Sequence, residues 1–287
     1  MLSLLAPAWR SVLERFGIKP VASLSSLELE RLLALMERKA ALPALEGLLT
    51  ALKPSKAGRT LEGTAVAFDS SVFLRLSSHR RRDDIVDYLE SRHKWPIILP
   101  GQAIQEFWNN QFQAVESTAA AIKGKFSQIR EEIAKIDPTF SDFRSRFDDL
   151  VEEFESSYGY VYDEGTTRRT VSLVELLLRR AIVPYAPRDM FAAAAIQRKR
   201  SKTPPGFKDE GDGDFFVWVD LLAGLLGARR DEIPFSKVAL ITNDRKIDWS
   251  RAGVPHPLLI AEMKTAVSAD FEVWTLDQLA QAIQESA

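Results

Sequence analysis

Four carboxylates stand far apart in the chain, each near a change of secondary structure: Asp69 in "AFDSS", Glu106 in "QAIQEFW", Asp214 in "DEGDGDFF" and Asp244 in "ALITNDRK", with a further acid, Asp248, close behind the last in "KIDW". Singly, each has a plain structural role to fill. Asp69 and Asp214 would cap helices, Glu106 would be a solvated helix residue, and Asp244 would steady a turn. Together they suggest more. Two like charges about 4 Å apart cost roughly 4 kcal/mol at an effective dielectric near 20, so grouped acids need a counter-cation. A divalent ion makes such a group a ligand set, and phosphodiester hydrolysis uses one or two such ions to activate water and neutralise developing charge.

The rest of the composition narrows the metal. The chain has no cysteine, which excludes a disulfide framework, a thiolate nucleophile and sulfur-ligated zinc. Its three histidines, His79, His93 and His256, are scattered and form no ligand pair. Oxygen ligands therefore favour Mg2+ or Mn2+, as one or two ions. The net charge of −2, from 38 basic and 40 acidic residues, does not by itself announce nucleic acid. The densest basic clusters are "RRR" at Arg80–Arg82 and "RKRSK" at Arg198–Lys202. No apolar run is long enough to span a membrane and no secretory leader is visible, so a cytoplasmic protein is expected.

The acids must be positioned by an alternation of strands and helices. "TAVAFD", "PIILP", "KVALI" and "FEVWT" read as four buried strands. Helices follow them in "SSVFLRLSS", "DDIVDYLESR", "QAIQEFWNNQF", "HPLLIAEMKTAVSA" and "LDQLAQAIQES". That alternation predicts an α/β fold with a mainly parallel sheet covered on both faces. Residues 1–53 read as a helical appendage whose "SSLE" is a capping box, and residues 61–287 as the main domain. Ile122, Phe126, Ile129, Ile133 and Ile136, then Phe140, Phe143, Phe147, Leu150 and Phe154, form two helical stripes broken at Asp137-Pro138. They predict a helical hairpin inserted over about residues 114–158. "TVSLVELLLRRAIV" and "FFVWVDLLAGLLGA" both read as helices. Ligands of an open parallel sheet bind beyond the carboxyl ends of its strands, and Asp69, Glu106, Asp214 and Asp244 each have an independent reason to reach that rim.

Other phosphoryl chemistries lack their signatures. Ser71 stands where a haloacid-dehalogenase-like phosphatase has its second aspartate. Asp212-Gly213-Asp214 has the D-x-D form of a topoisomerase-primase site but no strand before it. The same stretch lacks the ligands of an EF-hand, and no phosphate-binding G-x-x-x-x-G-K-[ST] loop is present.

The succession "AFDSS", "LPGQAIQEFW", "PPGFKDEGDGDFFVW" and "ALITNDRKIDW" resembles the PIN-like domain family of bacterial proteins, a branch of the PIN/flap-nuclease superfamily, over roughly residues 64–285. The resemblance implies a PIN-like α/β/α sandwich with a helical insertion. It also implies a metal-dependent endonuclease, with RNA as the expected substrate, that leaves 5′-phosphate and 3′-hydroxyl ends. By motif, Asp69, Glu106, Asp214 and Asp244 correspond to the ligands of Mg2+ or Mn2+, with Asp209, Asp212 and Asp248 as further acids. "DEGDGD" offers both Asp212 and Asp214 for one role. Ser70 and Thr242 resemble hydroxyl residues that bond a phosphate or a metal-binding carboxylate. Arg198, Lys199, Arg200, Lys202, Lys208, Arg245 and Lys246 would grip phosphates flanking the scissile bond, and Trp108, Phe207 and Trp249 could stack on bases. Nucleases of this type act as growth-arresting toxins, phage-defence effectors or RNA-processing enzymes. The partners expected are nucleic acid, an inhibitor protein or a second copy. The competing reading is a non-catalytic nucleic-acid-binding or scaffold domain.

Overall fold

The structure is a computed structural model that describes residues 24–53, 59–77, 79–135, 141–158, 164–243 and 246–286. Its strands are β1 (Thr64–Phe68), β2 (Ile97–Ile98), β3 (Ala181–Ile182), β4 (Lys237–Ile241), β5 (Ser250–Arg251), β6 (Val254–Pro255) and β7 (Asp270–Trp274). Five of them form one parallel sheet in the order β3-β2-β1-β4-β7. Its central strands carry apolar side chains on both faces, as a doubly covered sheet requires. Along β1, Ala65 and Ala67 face one core while Val66 and Phe68 face the other; along β4, Val238 and Leu240 oppose Ala239 and Ile241.

The helices supply the two covering layers. They are α1 (Ser26–Met36), α2 (Ala44–Leu52), α3 (Ser70–Ser77), α4 (Arg82–Asp87), α5 (Gly101–Ile133), α6 (Ser141–Tyr158), α7 (Glu164–Arg180), α8 (Arg188–Arg200), α9 (Gly213–Arg230), α10 (Pro257–Val267) and α11 (Leu276–Glu285). Leu32 of α1, Phe191 of α8, Trp218 of α9 and Leu259 of α10 fill the core on one face. Leu76 of α3, Ile85 of α4, Leu176 of α7 and Leu279 of α11 fill the other. The result is an α/β fold in three layers. No helix among the described residues is long and apolar enough to cross a membrane.

Local reasoning about the sequence needs amendment at several places. "TVSLVELLLRRAIV" is not wholly helical: the helix stops at Arg180, and Ala181–Ile182 become the edge strand β3, so the sheet has five strands rather than four. Pro184 ends any helical continuation, and the extended backbone is held by Leu99 N–H donating to the Ile182 carbonyl at 2.9 Å. "DDIVDYLESR" is split into α4 and a π-helical turn, Tyr88–Arg92. Ser250–Arg251 and Val254–Pro255 form a small ribbon across Ala252-Gly253, where both residues have positive φ (52° and 80°), as a tight hairpin turn demands.

The helix after β2 does not stop before the hairpin. It runs unbroken from Gly101 to Ile133 and becomes the first arm, with α6 as the second. The arms meet where the rings of Phe126 and Phe147 lie 6.0 Å apart and Arg130 pairs with Asp148 at 2.8 Å. Their stripes are only partly covered, since Ile129, Phe143 and Leu150 remain exposed. Ile136, Asp137, Pro138 and Phe140 lie outside the described residues.

Of the first two described helices, α1 puts Leu32, Leu35 and Met36 into the core, whereas α2 lies on α10 with Leu45, Leu48, Leu49 and Leu52 exposed. The capping box of Ser25 and Glu28 opens α1, and Arg38, with φ of 61°, turns the chain before α2. Arg38 and Arg198 both pair with Glu262, at 2.9 and 2.8 Å, and Trp218 Nε1 donates to the same carboxylate at 2.7 Å. Glu262 has no solvent exposure, so losing one partner would leave a buried charge short of compensation. Gly47 seats α2 against α10, for a Cβ there would stand 2.3 Å from the Pro257 carbonyl oxygen. Gly47→Val should therefore lower stability by about 1–3 kcal/mol, read by urea denaturation. An unchanged midpoint would mean that α2 is not packed on α10.

Candidate functional site

The strand order brings two strand ends together where the acids were expected. From β1 the chain builds outward to β2 and β3, then returns to lay β4 on the other side of β1. Connections leaving the carboxyl ends of β1 and β4 thus diverge, which is the switch point at which open α/β sheets bind ligands. Asp69 follows β1 directly, and its N–H donates to the Ile241 carbonyl at 3.1 Å, so it is pinned beside the end of β4.

Hydroxyl groups fix the Asp69 carboxylate. Thr242 Oγ1 donates to its Oδ2 at 2.7 Å and Ser71 Oγ to the same oxygen at 2.9 Å; the Ser70 N–H donates to Oδ1 at 2.7 Å. Ser70 Oγ lies 3.3 Å from Asp69 Oδ1 and 3.1 Å from Glu106 Oε2, its single proton shared between them. That hydroxyl joins two acids 37 positions apart. Glu106 comes from the second turn of α5 and is further held by Gln102 Nε2, 3.1 Å from Oε1. Gly213 makes room for it, because a Cβ there would stand 2.4 Å from Glu106 Oε1. Burial raises the Glu106 carboxyl above its usual range and the Asp69 charge adds to this, while Gln102, Ser70 and Lys246 pull the other way.

A second pair of acids flanks the first. Lys246 Nζ donates to Asp209 Oδ2 at 2.6 Å and to Asp214 Oδ2 at 3.1 Å. Burial, reinforced by Asp209, pushes the Asp214 carboxyl up to about 8 against the opposing ammonium of Lys246. Burial acts on Asp209 in the same direction, but its bonds from Asp214 and Lys246 outweigh that and hold it below its usual value. The shared proton therefore rests on Asp214. Asp212 stands apart, 3.9 Å from Lys199, so of the two acids in "DGD" it is Asp214 that faces the cluster.

Not every expected residue joins them. Asp248 is fully buried; its Oδ2 accepts the N–H groups of Gly206 (3.0 Å) and Lys208 (3.4 Å), which anchors the "PPGFKD" loop. Gly206 has φ of 85° and packs on the start of α9, where a Cβ would come 3.2 Å from that of Asp214. Arg198 is buried on Glu262 rather than turned to solvent, and Lys199 bonds the Glu210 and Gly211 carbonyls. Arg200, Lys202 and Lys208 are exposed. Trp249 is buried against Trp218, whereas Trp108 is 65% exposed. Asp244 and Arg245 lie outside the described residues. Among the described residues no three acid or histidine side chains stand close enough to share an ion.

Four contributors escaped the sequence reading: Ser71, Gln102, Arg188 and Asp220. Asp220 sits unexposed on α9 and accepts the N–H groups of Gln102 (2.9 Å) and Ala186 (2.8 Å). Arg188 grips it with both terminal nitrogens, at 2.8 and 2.9 Å, and lies between the rings of Tyr185 and Phe216. This pair fixes the start of α5 and hence Glu106. Its signal was the lone acid in "FFVWVDLLAGLL", which a buried apolar helix tolerates only with a partner. Comparison with family models, characterised proteins and solved structures gave no match.

A carboxyl whose folded pKa is raised stabilises the fold below its unfolded pKa and loses that contribution as pH rises through the folded value. For Asp214 the window runs from 3.8 to about 8. In EDTA, stability should fall by about 1–2 kcal/mol from about pH 5 to about pH 8.5, and Asp214→Asn should flatten the slope. Equal slopes in the two proteins, measured by chemical denaturation, would contradict the assignment.

Proposed function

We propose that this chain is a Mg2+- or Mn2+-dependent endonuclease of the PIN-like kind, acting on RNA. One observation carries the reading: Asp69 and Glu106, from different elements, meet at the sheet's switch point, joined by the Ser70 hydroxyl. Their hydrogen-bond partners among the described residues are all neutral. A structural pair of acids would be expected to carry a basic partner, as Asp220 carries Arg188. The donors are all oxygens, which suits a hard divalent ion. The ammonium of Lys246 between Asp209 and Asp214 indicates that the adjoining ground accommodates positive charge.

Asp69 and Glu106 would hold the ion, together with Asp244, which follows β4 in sequence. Bound there, a divalent ion supplies an activated water and neutralises charge on the phosphate. The protein's own part is orientation. Thr242 and Ser71 aim Asp69, and Gln102, set by Asp220 and Arg188, aims Glu106. Exposed Arg200, Lys202 and Lys208 would bind flanking phosphates without reading sequence. No histidine is placed to act as a base: His93 is buried, His79 pairs with Asp277 and His256 caps α10.

Purified protein in Mn2+ should cut a labelled RNA. Asp69→Asn or Glu106→Gln should reduce the rate at least about 100-fold while the circular-dichroism spectrum stays native. Cleavage unaffected by both changes would remove the proposal. Tight RNA binding with no cleavage in Mn2+ would place the chain in the non-catalytic, nucleic-acid-binding class.

A further inference from the structure

The two pairs of acids differ in what balances their charge. Asp69 and Glu106 are held among the described residues by hydroxyls, an amide and a backbone N–H, none of them charged. Asp209 and Asp214 are bridged by the ammonium of Lys246 at 2.6 and 3.1 Å. That lysine follows β4 closely, a position from which it was expected to reach outward to phosphate. Instead its backbone is fixed by a turn in which the Trp249 and Ser250 N–H groups donate to its carbonyl, at 3.1 and 3.2 Å. Two residues on, buried Asp248 clasps the N–H groups of Gly206 and Lys208. The turn and the acidic loop are thereby tied together twice, once by the Lys246 side chain and once by Asp248.

We propose that the Lys246 ammonium takes the place of one divalent ion, so that the site binds a single Mg2+ or Mn2+ on the Asp69 and Glu106 side. The inference rests on the metal-dependent reading given above. A second divalent ion would have to break two charge-assisted hydrogen bonds and then lie beside the displaced ammonium, which repels it. Lys246 is on this account an internal counter-ion rather than a phosphate ligand.

Titration of the full chain with Mn2+, followed by electron paramagnetic resonance and calorimetry, tests this without any substrate. Wild type should bind one ion per chain, and Lys246→Arg should still bind one. Lys246→Met should bind two, with affinities within about tenfold of each other. Adding Asp209→Asn to Lys246→Met should return the count to one. Two ions in wild type, or one in a folded Lys246→Met, would overturn the inference and leave the nuclease reading standing. Absence of any bound ion in wild type would overturn both. If Lys246→Met does not fold, the count in wild type and Lys246→Arg decides the matter alone: one supports the inference and two overturns it.

Discussion

Acids gathered at the carboxyl edge of a parallel sheet repel one another unless positive charge lies between them, and this chain meets that constraint in two ways. On one side a lysine ammonium bridges Asp209 and Asp214. On the other, Asp69 and Glu106 share a serine hydroxyl, and none of the hydrogen-bond donors that hold them among the described residues carries a charge. The elevated carboxyl of Glu106 expresses the same tension, since burial and the charge of Asp69 act on it together.

The surrounding structure serves to keep these groups where they are. β1 and β4 bring Asp69 and Thr242 side by side through consecutive parallel pairs. α9 supplies Asp214 at its first turn and Asp220 further along, so one helix both contributes an acid and sets the helix that carries Glu106. The Glu262 network links the end of α1 with α8, α9 and α10 around a carboxylate that has no solvent exposure. It stabilises the frame beneath the acidic loop, as Arg198 also reaches the Pro204 carbonyl at that loop's base.

Much of this was legible from residue order, and the reasons for success and failure are physical. Strands buried on both faces declare themselves as short apolar runs, and the residues that end them, Asp69 and Thr242, could be placed at the rim before any coordinates. The two-residue strand at Ala181–Ile182 could not, because its apolar residues simply continue the helical pattern before it. Asp212 and Asp214 were equivalent in sequence; in the structure Asp214 pairs with Lys246, and Asp212 lies 3.9 Å from Lys199. Arg198 looked available to a ligand because it stands beside a functional motif, whereas it is taken up by buried Glu262; Asp248 spends its Oδ2 on the N–H groups of the acidic loop. Ser71 and Gln102 carried no signal of their own, since orienting a carboxylate takes only a hydroxyl or amide at the right distance.

The central claim is that the carboxylates at the switch point are there to hold a cation. Crystals grown or soaked in Mn2+ would show it most directly, through anomalous scattering. The account predicts a peak about 2.0–2.4 Å from oxygens of both Asp69 and Glu106. A fully occupied Mn2+ elsewhere on the chain, with those two carboxylates bearing no anomalous density, would contradict it.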